Sequence, residues 1–390
     1  MRCVSTDRQS LTRTIDDQVR INISAAVAQG KSVSQQPLAL MLGTAPEGKG
    51  GVAAVVCVLQ QEGFLQQQAV RYVVTHAEIS GKGKLLLAAR ALRELVAVRV
   101  KGGRPIVHAH CSSRASFYRK SVLLALARLM GCKTIFHLHG GEFRQFTMQE
   151  VGPLRRWWIR HTLEASSAVI ALSPSWAEFL TTFAPRSSVM VVPNSVRLAD
   201  LSLDEKEEEG RILFLGRIEK KKGVFELIEA VASLRERHPS ICLVLGGEGA
   251  LGEARARAAE LGIADRLELP GWVDASRRTL EMQRACLFAL PSYGEGLPMS
   301  MLEAMSARKA VVVTAVGGIP EAVEDGVNGL LVAPQDVTGL ATALDRLLSD
   351  RHLREQLASA GRATVEQRFA TSVMLDSLSN LYQCLSRSGR

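Results

Sequence analysis

A chain of 390 residues with 47% apolar side chains is long enough to build two ordinary cores, and its seven scattered cysteines, none in a C-x-x-C pair, read as buried thiols in a reducing cytoplasm, with neither a zinc site nor a disulfide framework indicated. The net charge of +9 is uneven: residues 37–195 hold 19 Lys and Arg against 8 Asp and Glu, whereas residues 196–390 hold 24 against 28. An acidic membrane surface is the expected partner of the basic half, ahead of a merely solvated face and well ahead of nucleic acid, for which no motif is present.

Residues 1–36 mix acids and bases without the basic-then-apolar order of a secretory signal, and are expected to form a flexible N-terminal extension. From Pro37 to residue 200, strand and helix patterns alternate as in a doubly wound α/β domain. LALMLGT reads as a strand, followed by a loop with Gly48, Gly50 and Gly51 and then a helix whose N-terminus suits an anion. AVRYVVTH, a basic helix and PIVHAHC come next, and then a helix from Ala115 to Met130. Its apolar part, from Val122, is about half the ~20 residues a membrane span needs. Arg114, Arg119 and Lys120 cluster at its start, where bases oppose the helix dipole, so they read as ligands of an anion, an acceptor phosphate, or as plain exposed charge.

TIFHLHGGEF is a strand with His139 at its C-terminal edge, where open parallel sheets place ligands. His137 and His139 share a face, but no third ligand or carboxylate is evident, so no metal is expected. RRWWIR, with Trp157 and Trp158 among Arg155, Arg156 and Arg160, fits either an interfacial membrane helix or a core helix with one buried Trp.

Residues 201–210 form an acidic linker, and a second alternation covers 211–364. RILFLGRIEKKKG gives a strand, Gly216-Arg217 and a lysine run in which Lys220 and Lys221 are expected to be solvated. A strand and glycine turn with Gly247 follow. PSYGEGLPMSMLEAMSARKAVVV then combines a strand end, a loop with Glu295, a helix with Pro298 at its first position, and Glu303 a turn and a half in. Such a helix aims free N–H groups at an anion between two carboxylates, the layout a nucleotide-sugar needs: diphosphate on the helix, sugar and ribose hydroxyls on the acids. Residues 365–390 are expected to be one helix, with Phe369, Val373, Met374, Leu378, Leu381 and Leu385 on its apolar stripe.

Glu295 and Glu303, eight apart within S-x-x-E-G-L-P and E-A-M, resemble the signature of retaining glycosyltransferases of family 4. That resemblance implies two Rossmann-like α/β domains facing a cleft (the GT-B fold), the last helix crossing back to the first domain, the donor bound mainly by the second domain and the acceptor by the first. It implies catalytic roles for His139, Glu295, Arg217 and Lys222, and donor contacts from Gly50, Gly51, Gly247, Gly296, Leu297, Pro298 and Glu303. VVPNSV resembles the family's P-N-G-V segment with Ser195 in place of glycine. With no Asp-x-Asp motif, the leaving diphosphate is expected to rest on Arg217, Lys222 and the helix N-terminus without a metal or other cofactor. HLHGGEF and SSRASFYRK resemble bacterial exopolysaccharide transferases, which implies a GDP-mannose or UDP-sugar donor and a polyprenyl-diphosphate-linked saccharide acceptor at the inner membrane face. The alternatives are a sugar-nucleotide epimerase, a glycan phosphorylase or a non-catalytic sugar-nucleotide-binding protein.

Overall fold

A computed structural model describes residues 37–46, 48, 51–76, 81–201 and 206–387; the 1–36 extension, Gly50 and part of the 201–210 linker lie outside the described residues. Among the described residues, short, nearly continuous apolar runs form twelve parallel strands, as expected where both faces of a sheet are covered by helices. The first sheet contains β1 (Ala39–Thr44), β2 (Val70–His76), β3 (Ile106–Cys111), β4 (Thr134–Leu138), β5 (Ala168–Ala171) and β6 (Val189–Val191), in the spatial order β2-β1-β3-β4-β5-β6. The second contains β7 (Arg211–Leu215), β8 (Cys242–Gly246), β9 (Leu267–Gly271), β10 (Leu287–Leu290), β11 (Ala310–Thr314) and β12 (Leu330–Val332), ordered β12-β11-β10-β7-β8-β9.

In each sheet the strand order reverses once, between β1 and β3 and between β7 and β10. Loops leaving the C-terminal ends of the strands beside such a reversal diverge and leave a crevice for ligand. In the second sheet those loops are 216–222 and 291–298, the two stretches that carry Arg217, Lys222 and Glu295.

The helices that shape the cleft are α1 (Gly51–Gln61), α2 (Ala115–Leu129), α3 (Pro153–Glu164), α4 (Pro174–Phe183), α5 (Ala275–Arg284), α6 (Met299–Ser306), α7 (Arg351–Arg368) and α8 (Thr371–Arg387). The final helix is shorter than the sequence suggests: residues 365–368 finish α7, buried Phe369 interrupts the helix, and α8 begins at Thr371. It crosses back to the first domain, where Gln68 donates to Ser379 Oγ at 3.2 Å and the Tyr382 ring lies 5.8 Å from Phe64. Met374, Leu378 and Leu385 are buried as the stripe predicts, whereas Val373 and Leu381 are only half-buried. Tyr382, outside that stripe, is fully buried because its hydroxyl finds His108 Nδ1 at 2.8 Å, which removes the penalty for burying a phenol.

Candidate active site

The crevice between β7 and β10 closes around one ion pair. Lys222 Nζ lies 2.5 Å from Glu295 Oε1, and the Ser292 hydroxyl donates to the same oxygen at 2.7 Å. Both side chains are largely shielded, so the attraction is less screened than at a surface. Two glycines permit this approach. Gly223, at φ 68, lets the lysine loop touch the β10 loop, where a Cβ would fall 2.0 Å from Pro291 O; a Cβ on Gly141 would fall 2.5 Å from the Glu295 carbonyl carbon. The first-domain loop after β4 therefore lies against the Glu295 backbone, and His139 O is beside Gly296.

Behind this pair, α6 starts one residue later than the sequence indicates. Pro298 is the N-cap, extended at φ −73 and ψ 125, and the first N–H groups of the helix receive no side-chain cap. An extended proline here leaves Met299, Ser300 and Met301 to present their N–H groups, which preserves the anion-binding end. Leu297 is held from across the cleft, its carbonyl accepting from buried Asn194 Nδ2 at 2.8 Å. Asn194 is a positioning contact that the P-N-S-V motif marks but does not explain.

Glu303 has a partner that the sequence reading missed. Arg278 Nη1, on α5, reaches its two oxygens at 2.9 and 3.1 Å. Burial pushes the Glu303 carboxyl upward, and Arg278 opposes that shift. Arg278 is 25 residues away along the chain and no motif marks it.

His139 belongs to a stack of four imidazoles from β3 and β4. Its Nε2 meets His110 Nδ1 at 2.8 Å; His108 Nε2 meets His137 Nδ1 at 3.1 Å, and Tyr382 ends the ladder. Burial holds both His108 and His139 down at about 3, with His108 and then Lys120 adding to the shift at His139, so these rings are neutral at ordinary pH. The sequence reading found no third imidazole beside His137 and His139. The structure supplies two, and His108, His110 and His137 bring ring nitrogens within 4.8 Å of one another.

Residues 199–364 match the family described as Glycosyl transferases group 1, and residues 48–200 match Glycosyltransferase Family 4. The chain belongs to the group 1/family 4 glycosyltransferases. It is 28% identical over 328 residues to the alpha-D-kanosaminyltransferase of Streptomyces kanamyceticus, covering 77% of this chain and 82% of that one. In fold it is similar to sucrose-phosphate synthase from Thermosynechococcus elongatus, with TM-score 0.76 and 21% identity over 91% of this chain and all of that chain. It is also similar to Anabaena HepE in complex with UDP and glucose, with TM-score 0.68 and 20% identity over 89% and 99% of the two chains.

Within this glycosyltransferase the remaining candidate residues are unequally gathered. Gly247 sits next to Gly216, its N–H donating to Gly271 O at 2.8 Å, and Gly51 opens α1. Arg217 does not join Lys222. Its side chain is 73% exposed and its ionic partner is Glu219 at 3.8 Å, because the turn after Gly216 directs it to solvent. Arg114, Arg119 and Lys120 do not form one cluster either. Arg114 pairs with Glu142 and Glu150, half-buried Arg119 faces His76, and Lys120 is buried with its ammonium on Ser116 Oγ at 3.1 Å. They diverge because Arg114 is the N-cap residue, outside the helix at φ 55, whereas the adjacent positions 119 and 120 project from different faces of the helix.

Lys221, expected to be solvated, crosses the cleft to Glu142 at 2.5 Å. Trp157 and Trp158 are 60% and 42% exposed and Leu154 stands out beside them, which overturns the core-helix alternative for α3. Among the described residues no helix is long and apolar enough to cross a membrane. Cys111, Cys132 and Cys286 are buried, Cys57 and Cys242 half-buried, and Cys384 is exposed, so the thiols are not uniformly core residues.

Proposed function

We propose that this glycosyltransferase moves a hexose from a nucleotide-sugar to a lipid-linked saccharide, with retention at the anomeric carbon and without a metal. The observation that carries the reading is the Lys222–Glu295 pair held at the β7/β10 reversal in front of the uncapped start of α6. A donor diphosphate there meets helix N–H groups and the Lys222 ammonium, and gains most as its charge grows in the transition state. Glu295 and the neutral His139 face the sugar, and the Glu303–Arg278 pair lies further along α6, where it takes the ribose hydroxyls. Arg217, exposed at the surface, reaches the diphosphate by turning inward from Glu219.

The absence of an Asp-x-Asp motif supports the metal-free reading. The imidazole stack supports it too. Neighbouring rings face one another at interplanar angles of 16–35°, so their lone pairs do not converge, no carboxylate joins them among the described residues, and Lys120 places a positive charge close by. The exposed Leu154, Trp157 and Trp158 among the arginines of α3 support a peripheral site on the inner face of an acidic membrane. Salt-reversible co-sedimentation with anionic vesicles, and none with neutral ones, is the expected result.

The donor base is read as guanine from the likeness to exopolysaccharide transferases, with uracil as the rival. A thermal-shift comparison of GDP, UDP and ADP tests the whole reading, because only a bound diphosphate raises the midpoint, by RT ln(1 + [L]/Kd). No shift with any of the three would refute a nucleotide-sugar transferase.

A further inference from the structure

Two imidazoles of the first domain are joined where it meets the cleft: His110 Nδ1 lies 2.8 Å from His139 Nε2. The parallel register of β3 and β4 makes the pair, since His110 stands opposite His137 and His139 follows two residues on. Burial holds both rings neutral, helped at His110 by His108, His139 and Lys120 and at His139 by His108 and Lys120. The two nitrogens therefore share one proton, and one ring donates while the other accepts.

Which ring donates is decided at the far nitrogens. Buried Asn194, in the segment after β6, gives its Nδ2 amide to Leu297 O at 2.8 Å. A carbonyl only accepts, so the amide cannot be reversed, and its Oδ1 is the end left to face His139. The Asn194 side chain does act on that ring, raising its proton affinity against burial. His139 Nδ1 and Asn194 Oδ1 are both buried, and neither has another partner among the described residues. A proton on His139 Nδ1 satisfies the two together. It also leaves Nε2 as the acceptor, which makes His110 the donor. The opposite tautomers would set the His139 Nδ1 lone pair against the Asn194 oxygen and put a proton on His110 Nε2, which is buried with no acceptor among the described residues.

The three contacts then run one way, from His110 to His139 to Asn194 to the Leu297 carbonyl. Hydrogen bonds aligned head to tail polarise one another. The chain starts in the interior of the first domain and ends in the second, one residue before Pro298, the N-cap of α6.

We propose that His110 is a positioning residue for the transfer: by donating to His139 it fixes that ring with its proton on Nδ1, and through Asn194 it holds Leu297 and the start of α6 in place for the donor diphosphate. This rests on the transferase reading above. His110 is fully buried, so it acts through the chain of contacts and not on the substrate.

The test uses the full chain labelled with ¹⁵N at histidine. Long-range ¹H–¹⁵N correlation at neutral pH separates the two neutral tautomers, and the ring signals lost in His139→Gln identify His139. The wild type is expected to carry the His139 proton on Nδ1. His110→Asn should keep it there, because the Asn Nδ2 amide sits at the δ position of the lost donor, and His110→Phe, which keeps a ring without a donor, should lose that single tautomer. Calorimetry with the nucleoside diphosphate identified by thermal shift should show Kd raised about tenfold in His110→Phe, the lower end of what losing a partner that orients a functional histidine costs, and raised by less in His110→Asn. A wild-type proton on Nε2, an unchanged tautomer or an unchanged Kd in His110→Phe, or an Asn variant as weak as the Phe variant would overturn the proposal. If His110→Phe does not fold, the wild-type spectrum and the Asn variant decide it. A wild-type chain that binds no nucleoside diphosphate overturns the transferase reading and the donor-site role of His110 with it, while a proton on Nε2 in a chain that does bind overturns this inference alone.

Discussion

The two domains bury charge by opposite means. Around the second sheet, ionised groups are matched at short range: Lys222 with Glu295, Arg278 with Glu303, and Arg211 with Glu268 and fully buried Glu281, both at 2.7 Å. Around the first, His108, His110, His137 and Lys120 are buried and His139 is half-buried, with hydrogen bonds but no carboxylate beside them among the described residues, and they stay tolerable by being neutral or by losing proton affinity. On the proposed function, the Lys222 and Arg278 pairs keep charge beside the diphosphate, and the neutral rings keep it away from the sugar.

That contrast is sharpest at Lys222. Removing an aligned cation from a site that stabilises developing charge costs on the order of 10²- to 10³-fold in kcat. Lys222→Ala is expected to fall in that range, and Lys222→Arg to recover only part, because a planar guanidinium does not reproduce a point charge beside Gly223. A steady-state comparison on one donor checks it; wild-type turnover in Lys222→Ala would break the comparison at its centre. Next in size is Arg278→Ala. It leaves Glu303, half-buried on α6, without its cation, which costs more than the pair itself is worth, so nucleoside diphosphate affinity should drop by about tenfold or more by calorimetry. Arg278→Ala/Glu303→Gln should lose less than the sum of the two single changes.

The first-domain side is tested with acid. His108 and His139 are held at about 3 in the fold against an ordinary 6.5, so between those values the unfolded chain binds more protons than the folded one. Stability therefore rises with pH across that window and is lost as pH falls below about 6.5, by at most about 1.4 kcal/mol per pH unit for each ring. The thermal midpoint should fall steadily from pH 7 to pH 4.5, and His108→Gln, which retains a polar side chain opposite Tyr382, should flatten that slope. A midpoint independent of pH would contradict the buried neutral ladder.

The same contrast explains what could be read in the sequence. Alternating apolar runs specified both sheets, and E-x7-E with its neighbours placed Glu295 and the α6 start to within one residue, since those contacts are local. Partners far along the chain were invisible: Arg278 for Glu303, Tyr382 for His108, Glu142 for Lys221, separated by 25, 274 and 79 residues. The histidine stack is half-legible, because H-x-H on TIFHLHGG marks one run of the pair and the identical spacing on PIVHAHC lies 29 residues away on another strand. Only the parallel register, with His110 opposite His137, shows that the two runs meet.

The smallest effect belongs to Lys221, and it decides whether the contact across the cleft is energetic or merely geometric. Its pair with Glu142 measures 2.5 Å, but the lysine side chain is 60% exposed and the glutamate 31%. Exposed ion pairs of this kind contribute about 0–1 kcal/mol, much of it lost to solvent screening and side-chain ordering. Glu142 is in addition held by Arg114, so losing Lys221 leaves no uncompensated buried charge. Lys221→Ala should thus shift the thermal midpoint by only a degree or two, roughly the lower end of what 1 kcal/mol gives in a chain of this size. Lys220→Ala, lacking the pair, should shift it still less. A double-mutant cycle of Lys221→Ala with Glu142→Ala isolates the coupling. A coupling well above 1 kcal/mol would make the pair a true latch between the domains, and would move Lys221 from the solvated class into the same class as Lys222.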